Sequence, residues 1–217
     1  MKKFISTILA AAMVLSTGSA LAYTDVAEDD SRAEAIVAVT GYDIMFGYDD
    51  GTFRPEETLT RADAAAYVCR ALGLDEPSPA VTAFSDVPQE HWASGCIDLA
   101  YQEGFVDGCG DGTFRPDDPI NYEDAVKMVV AALGYGPEAS AKGGYRVGYL
   151  AVAAQNKITV SAGGVVGQPV TRGTFARLIY NSLDVGMLVQ VSWGDPLVWR
   201  VEESRTLRSI LEPAVEE

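Results

Sequence analysis

The chain has 217 residues and is acidic, with 31 aspartates and glutamates against 16 lysines and arginines and a formal net charge of −15. Such a surface excludes nucleic-acid binding by counterion release, which needs clustered positive charge. It also excludes the basic amphipathic helix by which proteins lie on anionic lipid. With three cysteines and His91 as the one histidine, no metal set is expected, and no motif calls for a cofactor.

At the N-terminus, Lys2 and Lys3 precede an apolar run from Phe4 to Leu15 and then Ala20-Leu21-Ala22. A basic start, a short apolar core and an A-x-A site read as a secretory signal over residues 1–22, cleaved after Ala22. The run is too short for a membrane anchor. No later stretch approaches the ~20 apolar residues of a spanning helix, so no membrane insertion is expected after cleavage. Cleavage removes two lysines and no acid, which moves the net charge to −17 and leaves about 195 residues. That length suits one core or one array of small repeats.

Self-similarity organises the remainder of the chain. A shift of 61 positions lays Asp25-Val26 on Asp86-Val87, Ile36 on Ile97 and Gly47 on Gly108. The same shift lays Asp50-Gly51-Thr52-Phe53-Arg54-Pro55 on Asp111-Gly112-Thr113-Phe114-Arg115-Pro116, and Leu72-Gly73 on Leu133-Gly134. Six consecutive identities in phase with the rest are not chance. A third, more worn copy places Pro169-Val170-Thr171-Arg172 on Thr58-Leu59-Thr60-Arg61 and Leu183 on Leu72, without the glycine-rich loop.

Each copy reads as helix, loop, helix. First helices are predicted near 30–40, 91–103 and 145–155, the middle one ending at Gly104. The second helices start at Thr60, Asn121 and Thr171, whose side-chain oxygens suit an N-cap, with Asp63 and Asp124 in the first turn. Apolar residues then recur at helical spacing: Ala65, Val68, Cys69, Leu72; Val126, Val129, Val130, Leu133; Ala176, Ile179, Tyr180, Leu183. Gly73 and Gly134 stand where a C-terminal cap is wanted. One hairpin cannot bury its stripe alone, so the expected fold is mainly α: three helix–loop–helix repeats around a common axis, a pseudo-threefold helical bundle. The boundaries are 23–78, 79–139 and 140–183. In the tail, 184–217, Met187–Val191 and Leu197–Val201 alternate like strands across Ser192-Trp193-Gly194-Asp195-Pro196. A β-hairpin on the bundle, the start of a further domain and a dimer edge all fit that pattern.

Phe84-Ser85-Asp86-Val87, Trp92-Ala93, Ile97, Leu99, Gly104-Phe105-Val106-Asp107-Gly108 and Asp111–Pro116 together closely resemble the S-layer homology (SLH) repeat, and Leu59-Thr60-Arg61-Ala62-Asp63 looks like the opening of that family's second helix. The resemblance covers roughly residues 23–183. It implies a non-enzymatic protein at the bacterial surface, outside the cytoplasm. Its repeats would hold secondary cell-wall polysaccharide without a covalent bond, often at a pyruvylated sugar, in grooves between repeats, and so tether S-layer proteins or exoenzymes to the wall.

Within that frame, Arg61 and Arg172 are candidate ligand-binding residues, because a guanidinium fork meets a carboxylate with two parallel hydrogen bonds beside exposed helix amides. A first-turn arginine paired with a nearby acid is the plainer reading. Trp92 offers a sugar platform or a core plug. Asp25 and Asp86 accept from sugar hydroxyls or brace turns. Gly108 joins the candidates through the family string. Arg54 and Arg115 read as loop braces. The departures matter: Ser31 replaces Trp92 in the first copy, Asn121-Tyr122 replaces Thr-Arg in the second, and Gly173-Thr174 follows the third arginine. Fewer than three working grooves are therefore expected.

Other readings stay open. A structural surface-layer element that contacts other surface-layer proteins without sugar binding fits the worn repeats. A calcium-dependent module of the dockerin kind would need alternating oxygen ligands and a bidentate glutamate, which neither Tyr48-Asp49-Asp50-Gly51 nor Gly110-Asp111-Gly112 supplies. A hydrolase would need a nucleophile partner or a histidine set, and none stands out. Cys69 falls on an apolar helix face, and a Cys96–Cys109 bridge is compatible with the spacing.

Overall fold

The structure, a computed structural model, describes residues 23–74, 77–194 and 197–212; the leader expected over 1–22 lies outside them. Its elements in chain order are α1 (Ala33–Gly41), α2 (Arg61–Ala71), α3 (Ser94–Gln102), α4 (Tyr122–Ala132), α5 (Gly136–Ala141), α6 (Val147–Gln155), α7 (Arg172–Ser182), β1 (Met187–Gln190), β2 (Trp199–Glu202) and α8 (Leu207–Leu211). The fold is mainly helical, as expected. No helix among the described residues is long and apolar enough to cross a membrane.

Three helix pairs, α1/α2, α3/α4 and α6/α7, close into a circuit. The first helix of each pair packs on the second helix of the preceding one: α3 on α2, α6 on α4, and α1 back on α7. At the centre, the residues just before the three N-caps form a closed ring of backbone hydrogen bonds. Ile120 N donates to Leu59 O at 3.0 Å, Val170 N to Ile120 O at 2.9 Å, and Leu59 N to Val170 O at 3.0 Å. All three side chains are buried, so each amide would lose its water without gaining a partner if the ring opened. The ring is the pseudo-threefold axis anticipated from the repeats.

Loop carbonyls cap the helices of neighbouring pairs. Arg61 N donates to Asp118 O, Tyr122 N to Gln168 O and Arg172 N to Glu57 O, at 3.0, 2.9 and 2.8 Å; Ala62 N and Gly173 N reach Pro116 O and Pro55 O, both at 2.9 Å. Thr60 completes a capping box with Asp63, and the Thr171 side chain accepts from Thr174 N. Asn121 differs from expectation: its side chain makes no cap bond, and its carbonyl takes the Asp124 and Ala125 amides.

The two Asp-Gly-Thr-Phe-Arg-Pro loops share one construction. Phe53 and Phe114 are fully buried anchors. The next residue, Arg54 or Arg115, takes φ of 58°, a left-handed conformation unfavourable for a side-chain-bearing residue. An aspartate 28 positions upstream of each phenylalanine holds the turn. Asp25 accepts from Phe53 N at 2.8 Å and Arg54 N at 2.7 Å, and Asp86 from Phe114 N and Arg115 N at the same distances. Inside the loop, the Thr113 hydroxyl and then Arg115 hold the Asp111 carboxyl down at about 2; Thr52 and Arg54 do the same for Asp50.

Two short helices are not evident from the sequence. α5 begins at Gly136-Pro137, which reads as a stop signal but also suits a helix start, where proline's missing N–H is not needed. α8 is one turn with a Thr206–Ser209 capping box, too short for a periodic signal, and it buries Leu207. The tail forms the antiparallel hairpin, with Met187 opposite Glu202 and Gln190 opposite Trp199. It lies on the bundle, where Leu188 N donates to Leu133 O at 3.0 Å and Tyr135 Oη to Gly186 O at 2.8 Å.

Replacing Asp25 or Asp86 by alanine strands two loop amides, the phenylalanine's part-buried and the arginine's exposed, and frees that arginine from its left-handed turn. Each substitution is expected to lower stability by about 2–4 kcal/mol in urea unfolding, while Asp49→Ala, outside these bonds, stays within ~0.5 kcal/mol.

Candidate functional site

The circuit creates three junctions where the second helix of one pair meets the loop of the next, and side chains make them unlike. At the junction of the third and first pairs, Arg172 is 4% exposed. Its Nε donates to Phe53 O at 2.8 Å, Nη1 to the Tyr67 hydroxyl at 2.9 Å and Nη2 to Phe46 O at 2.6 Å, and the guanidinium stacks 4.6 Å from the Phe53 ring centroid. All three nitrogens are engaged within the protein. This arginine clamps the first loop.

At the junction of the second and third pairs, Tyr122 stands where the other pairs carry arginine. Its buried ring lies so close to Gly164 that a Cβ there would come within 2.0 Å of it. The next residue, Glu123, is also buried; it accepts from Gly167 N at 2.7 Å and lies 3.5 Å from Arg146 Nη2. The shorter third loop is thus packed against an aromatic ring and the buried Glu123 carboxylate, whose partner Arg146 is exposed.

The junction of the first and second pairs is open. A cleft of about 470 Å³ is lined by Arg61, Phe105–Gly110, Phe114, Ile120, Asp124, Lys127, Met128 and Tyr145. Arg61 Nε donates to Phe114 O at 2.7 Å and the guanidinium lies 4.7 Å from the Phe114 ring centroid, repeating the Arg172 geometry. Its terminal nitrogens differ. Position 128 is methionine where position 67 is tyrosine, so no hydroxyl meets them from there, and Nη1 has Asp124 Oδ2 at 3.8 Å. Asp124 also accepts from the Tyr145 hydroxyl at 2.6 Å. Lys127, 7% exposed, pairs with Asp107, whose side chain is 77% exposed.

The cleft therefore holds two cations and two carboxylates over an apolar floor, and the carboxylate paired with Lys127 is largely exposed. An arginine and a lysine over such a floor are groups able to hydrogen-bond an anion, in competition with Asp124 and Asp107.

Of the sequence candidates, the structure brings Arg61 and Gly108 together in this cleft. Gly108, at φ of 72°, packs against Phe84, and a Cβ there would fall 2.4 Å from its ring. Asp25 and Asp86 spend both carboxylate oxygens on their own loops, and Arg172 is walled in. Trp92 is 61% exposed and stacks on His91, outside the cleft lining. The helix starts beside Arg61 and Arg172 are not open to an anion as the sequence suggested, because neighbouring loop carbonyls already take their amides. Lys127, Asp107 and Tyr145 were missed. Lys127 carried a signal, a charge inside the apolar run Val126–Val130 where the first copy has Ala66.

Comparison with known proteins bears on the same segments. The family model of the S-layer homology domain matches residues 22–65 and 83–126. The chain is 30% identical over 214 residues to a "Cell surface protein" of Thermoanaerobacter kivui, covering 93% of this chain and 27% of that protein. It is 28% identical over 225 residues to the "Middle cell wall protein" of Brevibacillus brevis, covering 99% of this chain and 21% of that one. A "Cellulosome-anchoring protein" of Acetivibrio thermocellus is 30% identical over 123 residues, covering 55% and 27%. In each case this chain spans less than a third of the relative's length.

The contrast between the two arginines is measurable. Arg172→Ala leaves buried acceptors unpaired and is expected to lower stability by about 3–5 kcal/mol in urea unfolding. Arg61→Ala, at the open junction, is expected to lower it by about 1–2 kcal/mol with helicity by circular dichroism unchanged.

Proposed function

We propose that this chain is a non-enzymatic anchor that holds onto the bacterial cell wall by binding secondary cell-wall polysaccharide, an anionic and pyruvylated sugar, in the cleft at Arg61. In this reading residues 1–22 direct export, 23–78, 79–139 and 140–183 are three S-layer-homology-type repeats, the last degenerate, and 184–217 is an appended hairpin. The observation that carries the proposal is that Arg61 and Lys127 line the same cleft between the first and second pairs, where neither a Tyr67-type nor a Tyr122-type side chain stands. The matched segments, 22–65 and 83–126, contribute the two sides of that junction, and the relatives' names point to the cell surface.

A ketal carboxylate is planar and small. It would take Arg61's terminal nitrogens while its second oxygen, or a ring hydroxyl, meets Lys127 as Asp107 turns outward. With the Tyr145 proton donated to Asp124, the Tyr145 hydroxyl oxygen and Asp124 Oδ2 supply acceptors for sugar hydroxyls. The overall negative charge opposes an anionic polymer at long range, but screening over ~8 Å confines that penalty, so the local cations decide.

A second reading, an assembly element for other surface-layer proteins, draws on the apolar residues exposed on the hairpin, Trp193, Leu197, Val198 and Trp199. Wall pull-downs separate the two. Binding to isolated walls is expected to fall roughly tenfold or more for Arg61→Ala, to rise for Asp107→Asn, which removes the competing carboxylate, and to vanish on walls stripped of polysaccharide. Equal retention on stripped walls contradicts sugar recognition and favours assembly.

A further inference from the structure

The seam between the first and second pairs holds a feature that sugar binding does not use. Cys69 on α2 and Cys96 on α3 are both buried in a small apolar cluster with Ala66, on which Leu99 packs. Cys69 Sγ lies 3.7 Å from the Cys96 carbonyl oxygen. The Cys96 side chain beside it, and then burial, push the Cys69 thiol far above its ordinary range. By the repeat shift of 61, Val130 is the counterpart of Cys69 and Ala35 that of Cys96, so neither position needs sulfur to pack. Cys109, whose bridging to Cys96 the spacing allows without demanding, is exposed on the cleft loop beside Phe114 O.

We propose that Cys69 and Cys96 are a disulfide site, a covalent staple across the α2–α3 seam. The oxidant is a disulfide of another thiol compound. One cysteine thiolate attacks that disulfide and releases one thiolate; the second cysteine attacks the mixed disulfide and releases the other. Two protein protons end on the two leaving thiols, and two electrons pass from the cysteine pair to the oxidant. Because thiolate is the nucleophile and both sulfurs are buried in the folded chain, the exchange belongs to folding, before the seam packs. Once formed, the bond is sheltered from reductants. It closes a loop of 27 residues' separation and fixes the two pairs that line the Arg61 cleft.

The test is to refold the full chain from denaturant in oxidised plus reduced glutathione, quench in acid, alkylate after denaturation and map the peptides by mass spectrometry. Repeating this with Cys109→Ser removes exchange through the exposed thiol. The expected result in both is a Cys69-containing peptide linked to a Cys96-containing one, with Cys109 of the parent alkylated or carrying glutathione. The oxidised chain is then expected to melt roughly 5–15 °C above the same chain refolded reduced. Alkylation or glutathione at Cys69 or Cys96, a bridge to Cys109, or an oxidised form melting no higher overturns the proposal.

Discussion

The architecture depends on a constraint met at three points at once: the backbone amides of Leu59, Ile120 and Val170 are buried and must each find a carbonyl. They find one another's residues, in a ring that closes only when all three helix pairs are in place. No pair can satisfy its own entry strand. This makes the third pair, the least regular in sequence, as necessary as the other two. The contacts of α3 on α2, α6 on α4 and α1 on α7 repeat the logic in side chains. Each pair thus buries its stripe against its neighbours, and the seams between pairs are inherent to the fold.

In the proposed function, the difference lies in the unequal finishing of equivalent junctions. The arginine after the N-cap has one structural duty wherever it occurs, reaching the carbonyl of the buried loop phenylalanine. What surrounds its other nitrogens decides whether anything remains for a ligand. Tyr67 occupies the Arg172 guanidinium at one junction and the Tyr122 ring fills another, whereas Met128 and Lys127 line the cleft at Arg61. A repeat can therefore lose a groove by gaining one aromatic side chain while keeping its place in the ring.

Much of this is legible in the sequence because the repeat is written in residue types with single purposes. Helical spacing locates the six long helices within a few residues, and the phenylalanine anchors of the glycine-rich loops stand out from their setting. The hairpin follows from alternation at Met187–Val191, although that pattern does not say where it lies. The site is less legible. Arg61 and Arg172 occupy the same position in their copies, and what distinguishes them is a tyrosine hydroxyl supplied from 105 positions away. Asp86 resembles a ligand residue and is a loop brace because the amides it holds lie 28 and 29 positions downstream. Asn121 looks like a side-chain cap, yet the Asp124 and Ala125 amides donate to its carbonyl instead. The Cys69–Cys96 encounter likewise arises from packing of α3 on α2, which spacing along the chain does not encode.

Native-state hydrogen exchange at Leu59, Ile120 and Val170 tests the central claim most directly. If the ring holds the three pairs as one cooperative unit, these amides exchange only through global unfolding, with matching free energies equal to that of urea unfolding. Faster exchange at Val170, with α6 and α7 opening while α1–α4 stay protected, would contradict it and leave the third pair as an appendage.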